Sequence, residues 1–327
     1  MPEDMLLKVE DLRTEFKISR KKTVPVISNI SFQIKQGEII GLVGESGCGK
    51  SVTSLSIIRL LNDKSGKVTQ GSVLFKGRDL LDCTDEEMRQ MRGKYISMIF
   101  QEPMSSLNPA MRIEDQLIEA IRLHSNVTKQ EARAHALEML KNVGIPVAEQ
   151  VMRTYPHQLS GGMSQRVMIA MAMSSYPDLL IADEPTTALD VTIQAQILEL
   201  MQRIRKERGT SILLITHDLG VVAEICTRVY VMYAGRIVEE APVDLLFSDP
   251  CHPYTRGLIA SVPKLGSPVE NLSIIPGSVP DVTAMPAGCR FHPRCPQAME
   301  ICRRQEPEFY TINQDQKCRC WLWENKE

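Results

Sequence analysis

The stretch IIGLVGESGCGKS, residues 39–51, decides the fold. Residues 39–43 form an apolar run with the length of a buried strand, and residues 52–58 follow as a helical segment. The part between them, Gly44 to Ser51, has the spacing G-x-x-x-x-G-K-S. In such a loop, glycines let successive backbone amides point into one concavity beside the positive end of the next helix. The order strand, loop, helix therefore predicts a phosphate-binding loop in an α/β domain.

The chemistry of the loop favours a nucleoside triphosphate with magnesium. Lys50 is expected to reach the β- and γ-phosphates, and Ser51 to give an oxygen to Mg²⁺. The residues expected to contact ATP are Gly44, Glu45, Ser46, Gly47, Cys48, Gly49, Lys50, Ser51 and Val52. A second apolar run, residues 179–182, ends in Asp183 and Glu184. We expect Asp183 to hold the magnesium ion and Glu184 to act as the general base on the attacking water.

Aliphatic stretches alternate with helical patterns along most of the chain. Strands are predicted at residues 6–9, 39–43, 73–75, 95–100, 179–182, 211–216 and 229–233. This alternation predicts an α/β core over residues 1–250 with an inserted helical subdomain at about 102–175. From residue 251 the composition changes to Pro, Gly and Cys, which predicts a small extension over 251–327. Two capping boxes, Thr84 with Glu87 and Thr128 with Glu131, predict helix starts.

The composition and charge of the chain bear on nucleic-acid binding and on where the chain is located. The formal net charge of -2 and the pI near 6.3 give no basic field for nucleic acid. The first residues lack the basic start and apolar run of a signal peptide, and no run of about eighteen apolar residues occurs. We therefore expect a chain that stays in the cytoplasm and does not bind nucleic acid.

With the stretch LSGGMSQR, residues 159–166, the sequence closely resembles the ATP-binding cassette (ABC) ATPases over residues 6–247. The resemblance implies a P-loop ATPase core and roles for four further residues. Gln101 matches the Q-loop residue that senses magnesium and water, and His217 matches the switch histidine at the γ-phosphate. Asp190, within Ala188-Leu189-Asp190, matches the D-loop, and Phe16 matches the aromatic residue that stacks on adenine.

The stretch LSGGMSQR, called the signature from here on, also predicts a local structure on physical grounds. Ser160 is a good helix N-cap, and Gly161 with Gly162 would bare the first amides of the next helix as a second anion grip. The resemblance implies that two cassettes pair head to tail, so that Ser160, Gly161, Gly162 and Gln165 complete the partner's ATP site. ATP would close such a pair and hydrolysis would open it.

The tail resembles one branch of this family. The stretches HPYTRGL, residues 252–258, and GCRFHPRCP, residues 288–296, are similar to the extension of ATPase subunits of oligopeptide, dipeptide and nickel importers. The resemblance implies peripheral attachment to the cytoplasmic face of the membrane, two permease subunits, a second related ATPase and an external solute-binding protein. Peptides are the expected solute, with nickel or a metal chelate as the alternative. A soluble ATPase acting on nucleic acid or ribosomes is disfavoured, because the chain has one P-loop and only a short insertion.

Five of the nine cysteines lie between Cys289 and Cys320. They lack the C-x2-C spacing of most zinc sites. In the resembled subunits some members hold a 4Fe-4S cluster, and the matching ligands here are Cys289, Cys295, Cys302 and Cys320, with Cys318 as the alternative fourth ligand. Zinc and a set of reduced, unliganded thiols remain open.

Overall fold

The computed structural model describes residues 4–19, 22–62, 65–187, 189–262 and 274–324. The strands are β1 (Met5–Lys17), β2 (Thr23–Lys35), β3 (Ile39–Val43), β4 (Gly66–Phe75), β5 (Arg78–Asp79), β6 (Ile96–Ile99), β7 (Leu179–Asp183), β8 (Ser211–Thr216), β9 (Arg228–Tyr233), β10 (Arg236–Pro242), β11 (Tyr310–Thr311) and β12 (Lys317–Cys318). The helices are α1 (Lys50–Ile57), α2 (Asp85–Met91), α3 (Pro103–Ser106), α4 (Ile113–His124), α5 (Lys129–Asn142), α6 (Ala148–Met152), α7 (Gly161–Met173), α8 (Val191–Arg208), α9 (Leu219–Ile225), α10 (Val243–Ser248), α11 (Pro253–Ala260) and α12 (Glu300–Arg304). Short 3-10 turns lie at Pro156–Gln158, His292–Arg294 and Trp321–Trp323.

One compact unit consists of the described chain up to Ile34, Ile39–Leu81 and the chain from Thr216 onward. Strands β2, β1, β4 and β5 form one of its sheets in that order, with β1 antiparallel to β4. In its other sheet β3 runs parallel to β9, and β9 pairs antiparallel with β10. The tail strand β12 pairs with β10, and β11 pairs with β12. The C-terminal residues thus extend the sheet that presents the phosphate-binding loop.

The burial of these strands follows from their sequences. Every residue of β3 is buried, as expected for a near-continuous apolar run inside a parallel sheet. Strand β1 instead alternates, with Leu7 and Val9 buried and Lys8 and Glu10 partly exposed, because one face of its sheet packs on the core. The loop that follows β3 is therefore carried by a fully buried strand.

The second compact unit consists of Lys35–Glu38 and Asp82–Ile215. Strands β6, β7 and β8 lie side by side and parallel, with Ile96 opposite Leu179 and Leu179 opposite Ser211. Helices α4, α5 and α7 pack against one another. Their buried residues, among them Leu117, Ala136 and Val167, form the apolar faces of these helices.

Both predicted capping boxes are confirmed. The Thr84 hydroxyl accepts a hydrogen bond from the backbone amide of Glu87, and the Glu87 carboxylate accepts one from the amide of Thr84 at 2.8 Å. Thr128 and Glu131 make the same pair of bonds at the start of α5. Each box satisfies two backbone donors that a helix start leaves without an intrahelical partner.

The predicted strands at residues 39–43 and 211–216 have the observed bounds, whereas β2 and β10 were not predicted. In β2 the interior contains Pro25 and the left-handed residue Asn29, with φ 51°. Proline and asparagine are residue types that indicate turns, so the sequence does not predict a strand here. In the described part of the chain, no helix has the length and apolar character needed to cross a membrane.

Candidate nucleotide site

The phosphate-binding loop joins β3 to α1 within the first unit. Gly49, with φ 108°, is the residue before α1, and the helix begins at Lys50. Gly44 has φ 156° and lies so close to β9 that a Cβ there would come within 2.1 Å of the Met232 carbonyl oxygen. Gly44 cannot be replaced without displacing the loop from the strand behind it. The predicted loop thus lies at the end of a buried strand and at the start of a helix, as its chemistry requires.

The Lys50 ammonium lies within the loop. Its Nζ donates to the carbonyl oxygens of Gly44 at 2.8 Å and Glu45 at 3.0 Å, and the residue is 5% exposed. These two carbonyls hold the cation expected to meet the phosphates. Cys48 is buried beside it, and burial raises the pKa of its thiol although Lys50 lowers it. The Cys48 side chain therefore packs inside the loop as a neutral thiol.

Two other predicted residues lie in the first unit. His217 is exposed in the turn between β8 and α9, where Asp218 caps the helix by accepting from the amide of Gly220 at 2.8 Å. Phe16, in β1, is partly buried and its ring covers Gly66, since a Cβ at Gly66 would lie 2.8 Å from the ring. Phe16 is thus held in place on the sheet by its cross-strand neighbour.

The second unit contains the predicted acidic pair. Asp183 is the last residue of β7, buried and paired in register with Ile215 of β8. Glu184 follows with a left-handed backbone, φ 48°, and its amide donates to the Ile215 carbonyl at 2.8 Å. A non-glycine residue in this region is strained, and such strain is frequent at functional sites.

Gln101 and Glu184 lie together, as the predicted roles require. The Gln101 Nε2 donates to Glu184 Oε2 at 3.3 Å, and the Thr187 hydroxyl donates to the same oxygen at 3.1 Å. Gln101 lies just after β6 and is exposed. Sequence reasoning missed Thr187, although its position three residues after Glu184 is a common spacing for a turn contact.

The signature and D-loop residues line one cavity of about 390 Å³ in the second unit. Ser160 is the N-cap of α7, and its hydroxyl accepts from the Met163 amide at 3.3 Å. Gly162 and Asp190 lie in the same wall, and Asp190 caps α8 by accepting from the Ile193 amide at 3.0 Å. Gly161 is exposed beside Ser160, whereas Ala188 lies outside the described residues. The predicted helix start at Ser160 is thus present beside a cavity.

Gln165 has a different position from the rest of the signature. It is 2% exposed, and its Nε2 donates to the carbonyl oxygen of Pro185 in the same chain. This bond ties α7 to the turn that follows Glu184. Its side chain therefore fixes the acidic turn of its own unit.

The predicted ligand cysteines come near one another without forming a metal site. Burial first, and the neighbouring Cys302, Cys320 and Cys295 to a smaller degree, raise the pKa of Cys289 to about 12. Cys318 instead packs with Cys251 and Cys320 in a small apolar cluster. Among the residues that the structure describes, no three or more His, Cys, Asp or Glu side chains are placed to hold a metal ion. The arrangement therefore does not fit a ready ligand set for a 4Fe-4S cluster or zinc.

Comparisons with known proteins identify the family of the chain. The family model described as ABC transporter matches residues 27–187, and the model described as the oligopeptide/dipeptide transporter C-terminal region matches residues 238–302. An oligopeptide transport ATP-binding protein, AppD of Bacillus subtilis, is 51% identical over 98% of this chain and 98% of its own. The chain belongs to the ABC transporter ATP-binding proteins. The dipeptide transport ATP-binding protein DppD of the same organism is 49% identical over 99% of this chain and 96% of its own.

Solved cassettes share the fold. A dimeric ATP-binding cassette in a post-hydrolysis state with ADP and Pi superposes with a TM-score of 0.67 and 28% identity. The match covers 73% of this chain and 99% of the solved cassette. The chain is thus an ABC ATPase cassette of mixed α and β structure, and the likeness supports an ATPase.

Proposed function

We propose that this protein binds and hydrolyses ATP to energise the import of peptides through an ABC transporter. The observation that carries the proposal is the joint presence of the β3–α1 phosphate loop with buried Lys50 and of Glu184 bonded to Gln101. The similar proteins are named for oligopeptide and dipeptide transport. In this proposal, residues of the phosphate loop bind ATP, and Ser51, Gln101 and Asp183 hold Mg²⁺.

The mechanism follows from where charge develops. The loop amides and Lys50 would neutralise the phosphates, and Mg²⁺ supplies further positive charge when bound. Glu184 would orient the attacking water, with Gln101 and Thr187 fixing its carboxylate. His217 is proposed at the γ-phosphate, Phe16 at adenine, and Ser160, Gly161 and Gly162 at the nucleotide of a partner cassette. The helical subdomain at about 102–175, the C-terminal extension from residue 251 and the D-loop role of Asp190 belong to the same proposal.

The proposed setting is the cytoplasmic face of the membrane, with two permeases, a second related ATPase and an external solute-binding protein. Affinity purification of the tagged chain from detergent-solubilised membranes, with identification of stoichiometric partners by mass spectrometry, tests it. Recovery of two permeases and a second cassette supports the importer. Recovery of ribosomes or nucleic acid would contradict it, and a captured nickel-binding protein would replace peptide by metal as the solute.

A metal centre at Cys289, Cys295, Cys302 and Cys320, with Cys318 as the alternative to Cys320, rests on the resemblance alone, because the described residues show no group placed to hold a metal ion. Assay of iron, acid-labile sulfide and zinc in chain purified without oxygen decides between cluster, zinc and plain thiols. A cluster would give iron and sulfide in equal amounts, lost in Cys295→Ser and retained in Cys318→Ser.

A further inference from the structure

Residues of the C-terminal segment reach the phosphate loop directly. The Arg294 guanidinium makes two bonds to the Glu45 carboxylate, Nη1 to Oε2 at 2.6 Å and Nη2 to Oε1 at 3.0 Å. Arg294 is 7% exposed and Glu45 27%. Such a parallel pair is among the stronger hydrogen-bonded contacts in proteins and fixes orientation as well as distance. The second residue of the loop is thus held by a residue 249 positions later in the chain.

A second contact holds the backbone of the same residue. The Glu45 amide donates to the Tyr254 hydroxyl at 2.8 Å. Tyr254 is fully buried, with its ring centroid 4.6 Å from that of Tyr233 and 5.4 Å from that of Phe291. A side chain packed between two aromatic rings has little freedom to move. The Glu45 amide therefore has a fixed partner, and the carboxylate has another.

Hydrogen bonds to backbone carbonyls hold Arg294 and the nearby Arg290 in place. Its Nε donates to the Pro276 carbonyl at 2.8 Å. Arg290, four positions earlier, donates to the carbonyl of Ala234 in the turn after β9, and the next amide, Gly235, donates to the Cys48 carbonyl at 2.8 Å. The C-terminal segment thus supports the loop at Glu45 and also at the turn that contacts Cys48.

These contacts act on the group that would meet the phosphates. The carbonyls of Gly44 and Glu45 hold the Lys50 ammonium, so a displacement of Glu45 displaces an acceptor of that cation. The pair also neutralises a carboxylate in a loop that must receive a highly charged anion. We propose that Arg294 is a positioning residue for ATP binding, which together with Tyr254 holds Glu45 and presets the loop. The inference rests on the proposed function, because it requires that this loop binds ATP.

The proposal predicts a change mainly in binding. With Arg294 removed, the loop has to be ordered by the nucleotide, and the Glu45 carboxylate repels the phosphates. We expect Arg294→Gln to weaken Mg-ATP affinity about tenfold, with a smaller change in the turnover of bound ATP. Neutralising the carboxylate as well, in Arg294→Gln with Glu45→Gln, removes the repulsion but does not rebuild the pair, so this variant is expected to recover only part of the lost affinity and to stay at least about threefold weaker than wild type.

The test is an equilibrium titration of the full-length chain with Mg-ATP, using a fluorescent ATP analogue displaced by ATP. Thermal unfolding of each variant checks the fold. Arg303→Gln, an exposed arginine in α12, is the matched control and should bind as wild type does. If Arg294→Gln does not fold, Arg294→Lys takes its place. It keeps the charge but loses the two-pronged contact, so a smaller loss of affinity is expected.

The outcomes distinguish the positioning role of Arg294 from the proposed function of the protein. Normal affinity in folded Arg294→Gln overturns the positioning role, and so does a double variant that binds as tightly as wild type. The second result would mean that the loss in Arg294→Gln comes from the charge of Glu45 alone. Failure of the wild-type chain to bind ATP would instead overturn the proposed function, and Lys50→Ala supplies the reference for a loop that has lost binding.

Discussion

Glu184 shows at the scale of one residue how the chain orients the carboxylate that we propose as the general base. Its left-handed backbone, φ 48°, turns the chain directly after β7, and its amide bond to Ile215 holds that turn. Gln101 and Thr187 then donate to one carboxylate oxygen, Oε2. Two donors that converge on one oxygen restrict the rotation of the carboxylate. The strain of the backbone is thus accompanied by an oriented side chain.

Replacing Glu184 by Gln should separate binding from hydrolysis. Glutamine keeps the shape and the Oε acceptor but removes the base, so ATP turnover should fall at least about 100-fold. Nucleotide affinity should stay within about twofold of wild type. Phosphate release and ATP titration measure the two quantities, with Glu119→Gln on the exposed side of α4 as the control. Wild-type turnover in the variant would remove Glu184 from the base role.

Replacing Lys50, unlike replacing Glu184, is expected to weaken the binding of ATP. Its ammonium is the buried cation of the loop, held by two carbonyls, and Lys50→Ala removes the charge that the phosphates would meet. Mg-ATP affinity should fall by at least about tenfold, measured by the same titration. Lys206→Ala on the exposed face of α8 is the matched control. A folded Lys50→Ala protein with unchanged affinity and turnover would be inconsistent with a phosphate-binding loop.

At the scale of elements, several predicted functional segments lie at the capped starts of helices. Ser160, Asp190 and Asp218 each cap the helix that follows a predicted functional segment. A cap fixes the entry angle of the chain and satisfies one donor of the first turn. The start of α7 lies at the cavity that Ser160, Gly162 and Asp190 line, and the N-terminal end of a helix carries partial positive charge. The same local rule thus begins the helices and places a helix start at a cavity.

The capping box of α5 allows a direct test of this rule. Thr128→Ala removes the acceptor of the Glu131 amide, so the free energy of unfolding should fall by about 1 kcal/mol. Thr128→Ser keeps the hydroxyl and should stay near wild type. Chemical denaturation followed by circular dichroism gives both values. Equal stability of the alanine and serine variants would show that the box does not contribute.

Local signals explain which elements the sequence could predict. The boxes at Thr84 and Thr128 and the strand 39–43 depend on neighbours within a few positions, and all three have the predicted form. Strands β11 and β12 have two residues each and exist because Cys318 pairs with Glu239. The Arg294–Glu45 pair joins positions 249 apart. No sequence window could contain either contact, so only the folded chain reveals them.

At the scale of the whole molecule, the first unit is joined to its C-terminal segment through a buried carboxylate. Glu239 in β10 is fully buried and accepts from the amides of Cys251 at 2.7 Å and His252 at 2.8 Å, and from Gln316 Nε2 at 3.1 Å. Burial raises the pKa of Glu239, and these hydrogen bonds oppose that rise. The carboxylate therefore holds the start of α11 and the approach to β12 together.

His252 makes this junction sensitive to acid. Burial lowers its pKa to about 3, helped by Arg256, and its Nδ1 accepts from the Tyr254 amide at 3.0 Å. The unfolded chain binds a proton near pH 6.5 and the folded chain does not, so stability is full above that pH and is lost as the pH falls toward 3. The expected contribution to the slope is about 1.4 kcal/mol per pH unit.

The variant His252→Asn checks this dependence, since asparagine keeps a helix-capping acceptor without a titrating ring. Denaturant unfolding at pH 7.5, 6 and 5 should show a steeper loss of stability in wild type than in the variant. The charged groups about His252, Glu239 and Arg256, are the same in both proteins, so they cancel in the difference. Parallel curves would show that His252 titrates alike in the folded and unfolded chain.

The pairing of β12 with β10 has a consequence for any shortened form of this protein. A chain ending near residue 250 would keep every ATP motif and the pairing of β10 with β9, but it would lose the β12 residues that pair with Glu239 and Glu240 and so leave the other edge of β10 open. Open edges of this kind recruit strands from other molecules. Such a fragment would be prone to self-association in solution, and its aggregation could be mistaken for the dimerisation of intact cassettes.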